Sequence, residues 1–271
     1  MIATPRGAVE RLSIGGNRFY LVPGSSEPYP SVTSVLSVLN KSQLNAWAVR
    51  QAAGALLERL QGEPTLLERT RSDSTAAAEV VSAACSSAST IADEAASVGT
   101  QAHQAIDDAI LVDAQARAAL RQRVHDRTVL NVLDGFELFE RQSAIALRHS
   151  EVVVWSHRHK FAGTIDAIGA LPSGELVALD WKTSNALRDV YALQLAAYTL
   201  AWNEMNGDAV APIRNGIVVR FDKKRAHFEA RQVAGMGESQ ATFLSALNLW
   251  RWRSKAPYDQ VSSAVQNNGQ N

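Results

Sequence analysis

Between residues 151 and 181 three β-rich runs, EVVVWS, KFAGTIDAIGAL and ELVALDW, follow one another with only SHRH and PSG between them. Short runs with such separators predict a three-stranded antiparallel meander. Three charged residues interrupt the pattern: Asp166 in the second run, Asp180 at the tip of the third, and Lys182 two positions on. Alternate residues of a strand share a face, so Asp180 and Lys182 point one way, Leu179 and Trp181 the other. An isolated buried charge is costly unless it is paired or ligates a metal. Asp180 and Lys182 therefore either pair with each other or build a site. A turn near 172–174 brings Asp166 back nearly opposite Asp180, where two like charges repel unless a cation lies between them. A hard divalent ion held by both carboxylates resolves that repulsion.

Helices precede the meander and a mixed run follows it. Residues 11–22 predict a hairpin turning at Gly15-Gly16-Asn17, and YPSVTSVLSVL then starts a helix with Ser31 or Thr33 as N-cap. A second helix is expected from Gln43 to Leu60, ended by the Gly62–Pro64 breaker. Residues 65–111 contain no proline, and from about Thr75 they predict one long helix or two short ones, with SSAST at 86–90 the weakest stretch. Helices are also expected over 113–126 and 128–146, where Val129, Leu130, Leu133, Phe136 and Phe139 recur at helical spacing. Beyond the meander the pattern predicts a helix over 188–205 stopping at Asn206-Gly207, strands over 214–221 and AHFEARQV flanking a turn at Asp222-Lys223-Lys224, and a closing helix over 237–254. The fold class is α/β (α+β): a central sheet layer flanked by helices, with an N-terminal helical annex.

Composition narrows the chemistry. A chain of 271 residues with 46% hydrophobic content can bury a full core as one large domain with an annex. No apolar run approaches the roughly 18 residues of a membrane span, and MIATPRGAVE has no basic and then apolar block, so an intracellular, cytoplasmic protein is expected. The single Cys85 excludes an internal disulfide and any iron-sulfur or multi-thiolate zinc site. Any metal is then held by oxygen and imidazole. No GxxxxGK[ST] motif occurs, so no nucleotide cofactor or helicase motor is expected.

Gly163-Thr164-Ile165-Asp166, then Leu179-Asp180-Trp181-Lys182-Thr183, then Gln194-Leu195-Ala196-Ala197-Tyr198 resemble the motifs of the PD-(D/E)XK nuclease superfamily, in its RecB-like exonuclease branch. That branch also has an upstream helix with a Gly and a His, matched by Val98-Gly99-Thr100-Gln101-Ala102-His103. Each motif alone is weak; their order, with 14 residues from Asp166 to Asp180 and 12 from Lys182 to Gln194, makes the combination specific. The resemblance implies a restriction-endonuclease-like core with a central mixed sheet over 98–256, an annex over 1–97, and a polar tail over 257–271 expected to be disordered. It implies that His103, Asp166 and Asp180, with the Trp181 backbone carbonyl, hold Mg²⁺ or Mn²⁺, a donor set suited to those ions. Glu151 matches an acidic position that would serve a second metal or a water. Catalysis would rest on Asp166, Asp180 and Lys182, the lysine orienting or deprotonating the attacking water and stabilising charge on the scissile phosphate. Gln194 and Tyr198 share a helical face, where Tyr191 joins them, and with Thr183 they would bind the substrate strand.

Positive charge for a substrate backbone gathers late in the chain. Arg214, Arg220, Lys223, Lys224, Arg225 and Arg231 outnumber Asp222 and Glu229, and Arg251, Arg253 and Lys255 follow beside Trp250 and Trp252. Such a face suits backbone contact plus base stacking on single-stranded nucleic acid, with Arg220, Lys223 and Lys224 as candidate substrate contacts. His157, Arg158 and His159 form a turn tip read as phosphate-contacting or, in preference, merely solvated, and Trp47 is expected to pack the annex onto the core. The expected function is a metal-dependent DNA exonuclease acting on a free or single-stranded end in recombination, repair or phage DNA metabolism, alone or with a recombination or helicase partner, in a bacterial or phage-infected cell. An endonuclease of the same superfamily, or an inactive nucleic-acid-binding assembly protein, remains the alternative.

Overall fold

The computed structural model describes residues 9–39 and 42–255. The expected meander is present as β4 (Ala146–Ser156), β5 (Phe161–Ala170) and β6 (Leu176–Lys182), antiparallel in that order. Its third strand then pairs in parallel with β7 (Asn215–Phe221), and β7 pairs antiparallel with β8 (Phe228–Gln232), giving a five-stranded mixed sheet ordered β4-β5-β6-β7-β8. The parallel step is made by α7 (Asp189–Asn206), the crossover such a pair requires. Strand β4 begins at Ala146, so the helix expected to run to that residue ends earlier, as α6 (Arg127–Ser143), where Ala144 turns left-handed at φ 53°. Asp126 caps α6 by accepting from the Thr128 and Val129 amides.

Each face of the sheet has its own helical layer. On one, α7 and α8 (Met236–Ser254) bring Leu195, Tyr198, Trp202 and Phe243 against Val152, Val154, Phe161 and Ile165. On the other, α6 and α4 (Ser74–Ala109) bring Phe136, Phe139 and Ile106 against Leu179, Trp181, Val219 and Phe221. The Trp181 ring lies edge-on to Phe136 and Phe139, at centroid distances of 5.8 and 5.6 Å. Full burial of a side chain of this size contributes about 1.5–3 kcal/mol. Leu179 and Trp181 thus face α6 while Asp180 and Lys182 face the other way, as strand alternation requires.

Helix α4 is a single 36-residue helix through the SSAST stretch and through residues 97 and 98. Ser86, Ser87 and Thr90 donate their hydroxyls to the carbonyls of Ser82, Ala83 and Ser86 one turn back, so their side-chain hydrogen bonds are made within the helix. Asp73 caps α4, whereas α5 (Ala114–Arg123) is capped by Asp113. Helices α2 (Ser42–Gly62) and α3 (Pro64–Ser72) pack along α4. The Trp47 side chain and residues 257–271 lie outside what is described.

The N-terminal hairpin, β1 (Glu10–Ile14) and β2 (Asn17–Leu21), turns at Gly15-Gly16 and adds a two-residue strand β3 (Tyr29–Pro30). Val9, Tyr20, Val22 and Tyr29 pack on Val153, Trp155 and Ala162 of the main sheet. Ser31 caps the short α1 (Val32–Leu36) through the Ser34 amide, and bridges to Ala162 of β5. The hairpin is thereby fastened to the middle of the meander.

Candidate active site

The β5–β6 ladder ends at Ala167 opposite Leu179. One step further the strands part, and this places Asp166 opposite Asp180, as the turn arithmetic requires. The same rung extends into β4: the ladder pairs Ser150 with Ala167 and Val152 with Ile165, so Glu151 lies opposite Asp166. Glu151, Asp166 and Asp180 therefore form one row across three strands. Glu151 has a left-handed backbone, φ 49°, which few residues other than glycine adopt. Alternation slips there in both strands. Ile165 and Ile168, three apart, share the α7 face, and Val152 faces α7 while the Ser150 hydroxyl donates to Asp107 of α4.

Asp180 is fully buried and ion-paired with the Lys182 ammonium through Oδ2, an oxygen that makes no hydrogen bond of ordinary geometry. Its Oδ1 accepts from Gln194 Nε2 at 2.9 Å, and the same amide nitrogen donates to Tyr198 OH at 3.0 Å. The Tyr198 ring lies over Gly163, where a Cβ would overlap it, standing 3.0 Å from Cδ1. Asp166 accepts from the Trp181 amide at 2.7 Å, and its carboxylate lies 3.7 Å from His103 Nδ1. The Lys182 ammonium sits 4.9 Å from the centre of the Tyr191 ring. Gly99, a turn before His103 on α4, stands beside the strand tip: a Cβ there would lie 3.4 Å from Thr183 Oγ1, an ordinary contact.

Burial lifts the Asp180 carboxyl to about 6, Asp166 pushing the same way and Lys182 opposing. Burial also works against the Lys182 ammonium, but the charges of Asp180 and Asp166 outweigh it and hold its pKa above the ordinary lysine value. His103 is lowered, first by burial and then by the Lys182 charge, which favours the neutral imidazole; it also hydrogen-bonds the Trp181 backbone. Burial, with the Asp180 charge behind it, raises the Tyr198 phenol well above its usual value, so it stays a neutral hydroxyl.

These groups meet in a cleft of about 360 Å³, whose lining includes His103, Glu151, Asp166, Lys182, Gln194 and Tyr198. Asp180 stands behind it. Among the described residues no three His, Cys, Asp or Glu side chains converge closely enough to hold one ion together. Arg220 lies beside Lys182 in the parallel register, but its guanidinium rests on Glu229, and neither it nor Lys223 or Lys224 lines the cleft. Of the expected stacking tryptophans, Trp250 packs edge-on against Phe19 at 6.0 Å, while Trp252 is exposed. Arg251 donates to the carbonyls of His159 and Lys160. The turn tip is exposed at His157 and Arg158, as the solvated reading has it, but the His157 ring is held in place: Trp155 Nε1 donates to its Nε2, and Tyr29 OH meets its Nδ1, each at 3.0 Å.

Sequence reasoning missed the cleft's far wall, made by Arg11, Arg18 and Tyr20 of the hairpin with Thr33 of α1. Arg11 Nη2 donates to Thr164 Oγ1 at 2.8 Å across 153 positions of sequence, and no local periodicity signals such a contact.

The family model of the PD-(D/E)XK nuclease superfamily matches residues 51–257, and the chain belongs to that superfamily. That membership supports a nuclease. Comparison with curated proteins gives no match. Among solved structures, the chain is similar to one titled "Crystal structure of SSO0001", with 15% identity and a TM-score of 0.29, over 50% of this chain and 64% of that one.

Proposed function

We propose that the protein is a Mg²⁺- or Mn²⁺-dependent DNA exonuclease that takes a single-stranded end into the cleft, in recombination, repair or phage DNA metabolism. The observation that carries this reading is the convergence of Asp166, Lys182, His103, Gln194 and Tyr198 on one cleft, with Asp180 buried behind them. That cleft, of about 360 Å³, lies between α4 and the hairpin.

The donor chemistry fits a hard divalent ion. Asp166, Asp180 and His103, with the Trp181 carbonyl and the Glu151 carboxylate, are the oxygen and imidazole donors that would hold it; Lys182 occupies Asp180 Oδ2, so binding would require that ion pair to loosen and these side chains to draw together. When bound, the ion supplies Lewis-acid polarisation of the phosphate and a more acidic water. The chain's own residues do the rest. Lys182 sets an ammonium at the cleft wall, where it orients the attacking water and stabilises charge growing on the phosphate oxygens. Gln194 commits its amide to Asp180 and Tyr198, so the carboxylate cannot rotate away. Tyr191, Thr183 and Tyr198 would flank the strand.

The test is incubation of purified protein with end-labelled linear single- and double-stranded DNA and with closed circles, with Mg²⁺, Mn²⁺ or EDTA, beside the Lys182→Ala variant. Shortening from the ends, only with metal and only by the unaltered chain, is expected. Cutting of circles would make it an endonuclease, and binding without any cleavage would make it an assembly protein.

A further inference from the structure

We propose that the N-terminal hairpin, which lies outside the residues matched by the family model, is part of the substrate site: Arg11 and Arg18 hold a phosphate of the strand next to the one that is cut. This rests on the nuclease reading of the cleft. In the hairpin register Arg11 stands opposite Tyr20, and Arg18 is two residues before Tyr20, so all three share a face. That face lines the same cleft as Lys182.

The two arginines are prepared differently. Arg11 is rigidly placed, with Nη2 on Thr164, its guanidinium 5.5 Å from the Tyr20 ring centre, and Tyr20 OH itself 3.2 Å from Thr164 Oγ1. Thr164 takes one of its five N–H groups, the Glu151 carboxylate stands 3.9 Å away, beyond hydrogen-bond range, and Nε is buried without an acceptor. With Nε buried, it is the exposed edge of the guanidinium that can meet a ligand. Arg18 has a fixed backbone, its amide donating to Ser34 Oγ at 2.8 Å and its carbonyl accepting from the Ser31 amide at 2.9 Å. Its side chain is exposed and has no ion-pair partner among the described residues.

Charge in the cleft points to an anion at this wall. Lys182 is paired with Asp180 and Arg11 lies in a long ion pair with Glu151, so Arg18 is the cation of the cleft most open to an anionic ligand, with Arg11 beside it. A planar guanidinium matches two phosphate oxygens at once, which lysine cannot do. The phosphate in question is either an internal backbone group or the terminal group of the strand.

The experiment measures binding of a labelled single-stranded oligonucleotide by fluorescence anisotropy over a series of salt concentrations, in EDTA, for the full chain, Arg18→Ala and Arg11→Lys. It is paired with cleavage kinetics in Mg²⁺ and with thermal unfolding of each variant. Arg18→Ala, an exposed change, is expected to stay folded, to lower the slope of log affinity against log salt by about 0.7, and to raise KM roughly tenfold with kcat nearly unchanged. Arg11→Lys keeps the charge but not the fork, so it should raise KM with the slope retained. Running 5′-phosphorylated and 5′-hydroxyl strands side by side separates the two phosphates: a loss confined to the phosphorylated strand assigns a terminal group, an equal loss a backbone one. A folded Arg18→Ala with unaltered slope and KM on both strands overturns the proposal. Failure of the nuclease reading looks different, because the unaltered chain would then cut nothing while the salt slope could still be read.

Discussion

Asp180 has no exposure to solvent, and the Lys182 ammonium is its counter-charge. Taking one member from a buried pair leaves the other unpaired, at a cost of about 3–5 kcal/mol, while taking both is much milder. Lys182→Ala should therefore lose cleavage and also about 3 kcal/mol of stability in urea denaturation, and adding Asp180→Asn should return most of the stability but none of the activity. A double variant as unstable as the single one would mean that the pair is not what holds the strand tip. Gly163 makes a separate demand on the same cluster. A methyl group there overlaps the Tyr198 ring and pushes it from Gln194, so Gly163→Ala should cost about 1–3 kcal/mol and most of the activity. Shrinking the ring with Tyr198→Leu in the same chain should restore stability and not activity; failure to restore it would place the strain elsewhere.

At the scale of elements, the meander, the crossover helix and the spacing of Asp166, Asp180, Lys182 and Gln194 were legible because each depends on short-range periodicity or on counting through one turn. The slip of alternation at the Glu151–Asp166 rung was not legible. EVVVWS is apolar on both faces, since β4 is covered by α7 on one side and by the hairpin on the other, so its pattern has no phase to read. The hairpin's place in the cleft was hidden for a different reason: Arg11 finds Thr164 through tertiary packing alone. The slip can be tested through its backbone. A left-handed residue other than glycine costs about 1–2 kcal/mol, whereas glycine adopts that conformation freely. Glu151→Gly and Glu151→Ala both remove the carboxylate, so the difference between them isolates the strain. Glu151→Gly should be the more stable by about 1 kcal/mol in chemical denaturation. Equal stability, or an advantage for alanine, would mean that Glu151 adopts an ordinary extended backbone in solution.

For the molecule as a whole, the family match begins at residue 51, yet the sheet it covers is not closed without what precedes it. Tyr20, Val22 and Tyr29 are at most 5% exposed, and they cover Val153, Trp155 and Ala162 on strands that also carry the site. Losing three such side chains forfeits about 6 kcal/mol at roughly 2 kcal/mol each, against a total stability of about 5–15 kcal/mol for a typical domain. Thr164 would also lose both hairpin partners, Arg11 and Tyr20, one rung-length from Asp166. A chain starting at residue 51 should therefore fail to give a cooperative unfolding transition and should bind a hydrophobic dye, although it contains the matched region and every motif residue from His103 to Tyr198. Adding the missing segment, residues 1–50, as a separate peptide should restore cooperative melting, because the hairpin's contacts with β4 and β5 are made by side chains and by one backbone bridge, Ser31 with Ala162. A shortened chain that melts cooperatively and cleaves DNA at the full chain's rate would show instead that the hairpin is an accessory to a self-sufficient core, and that the cleft needs only one of its two walls.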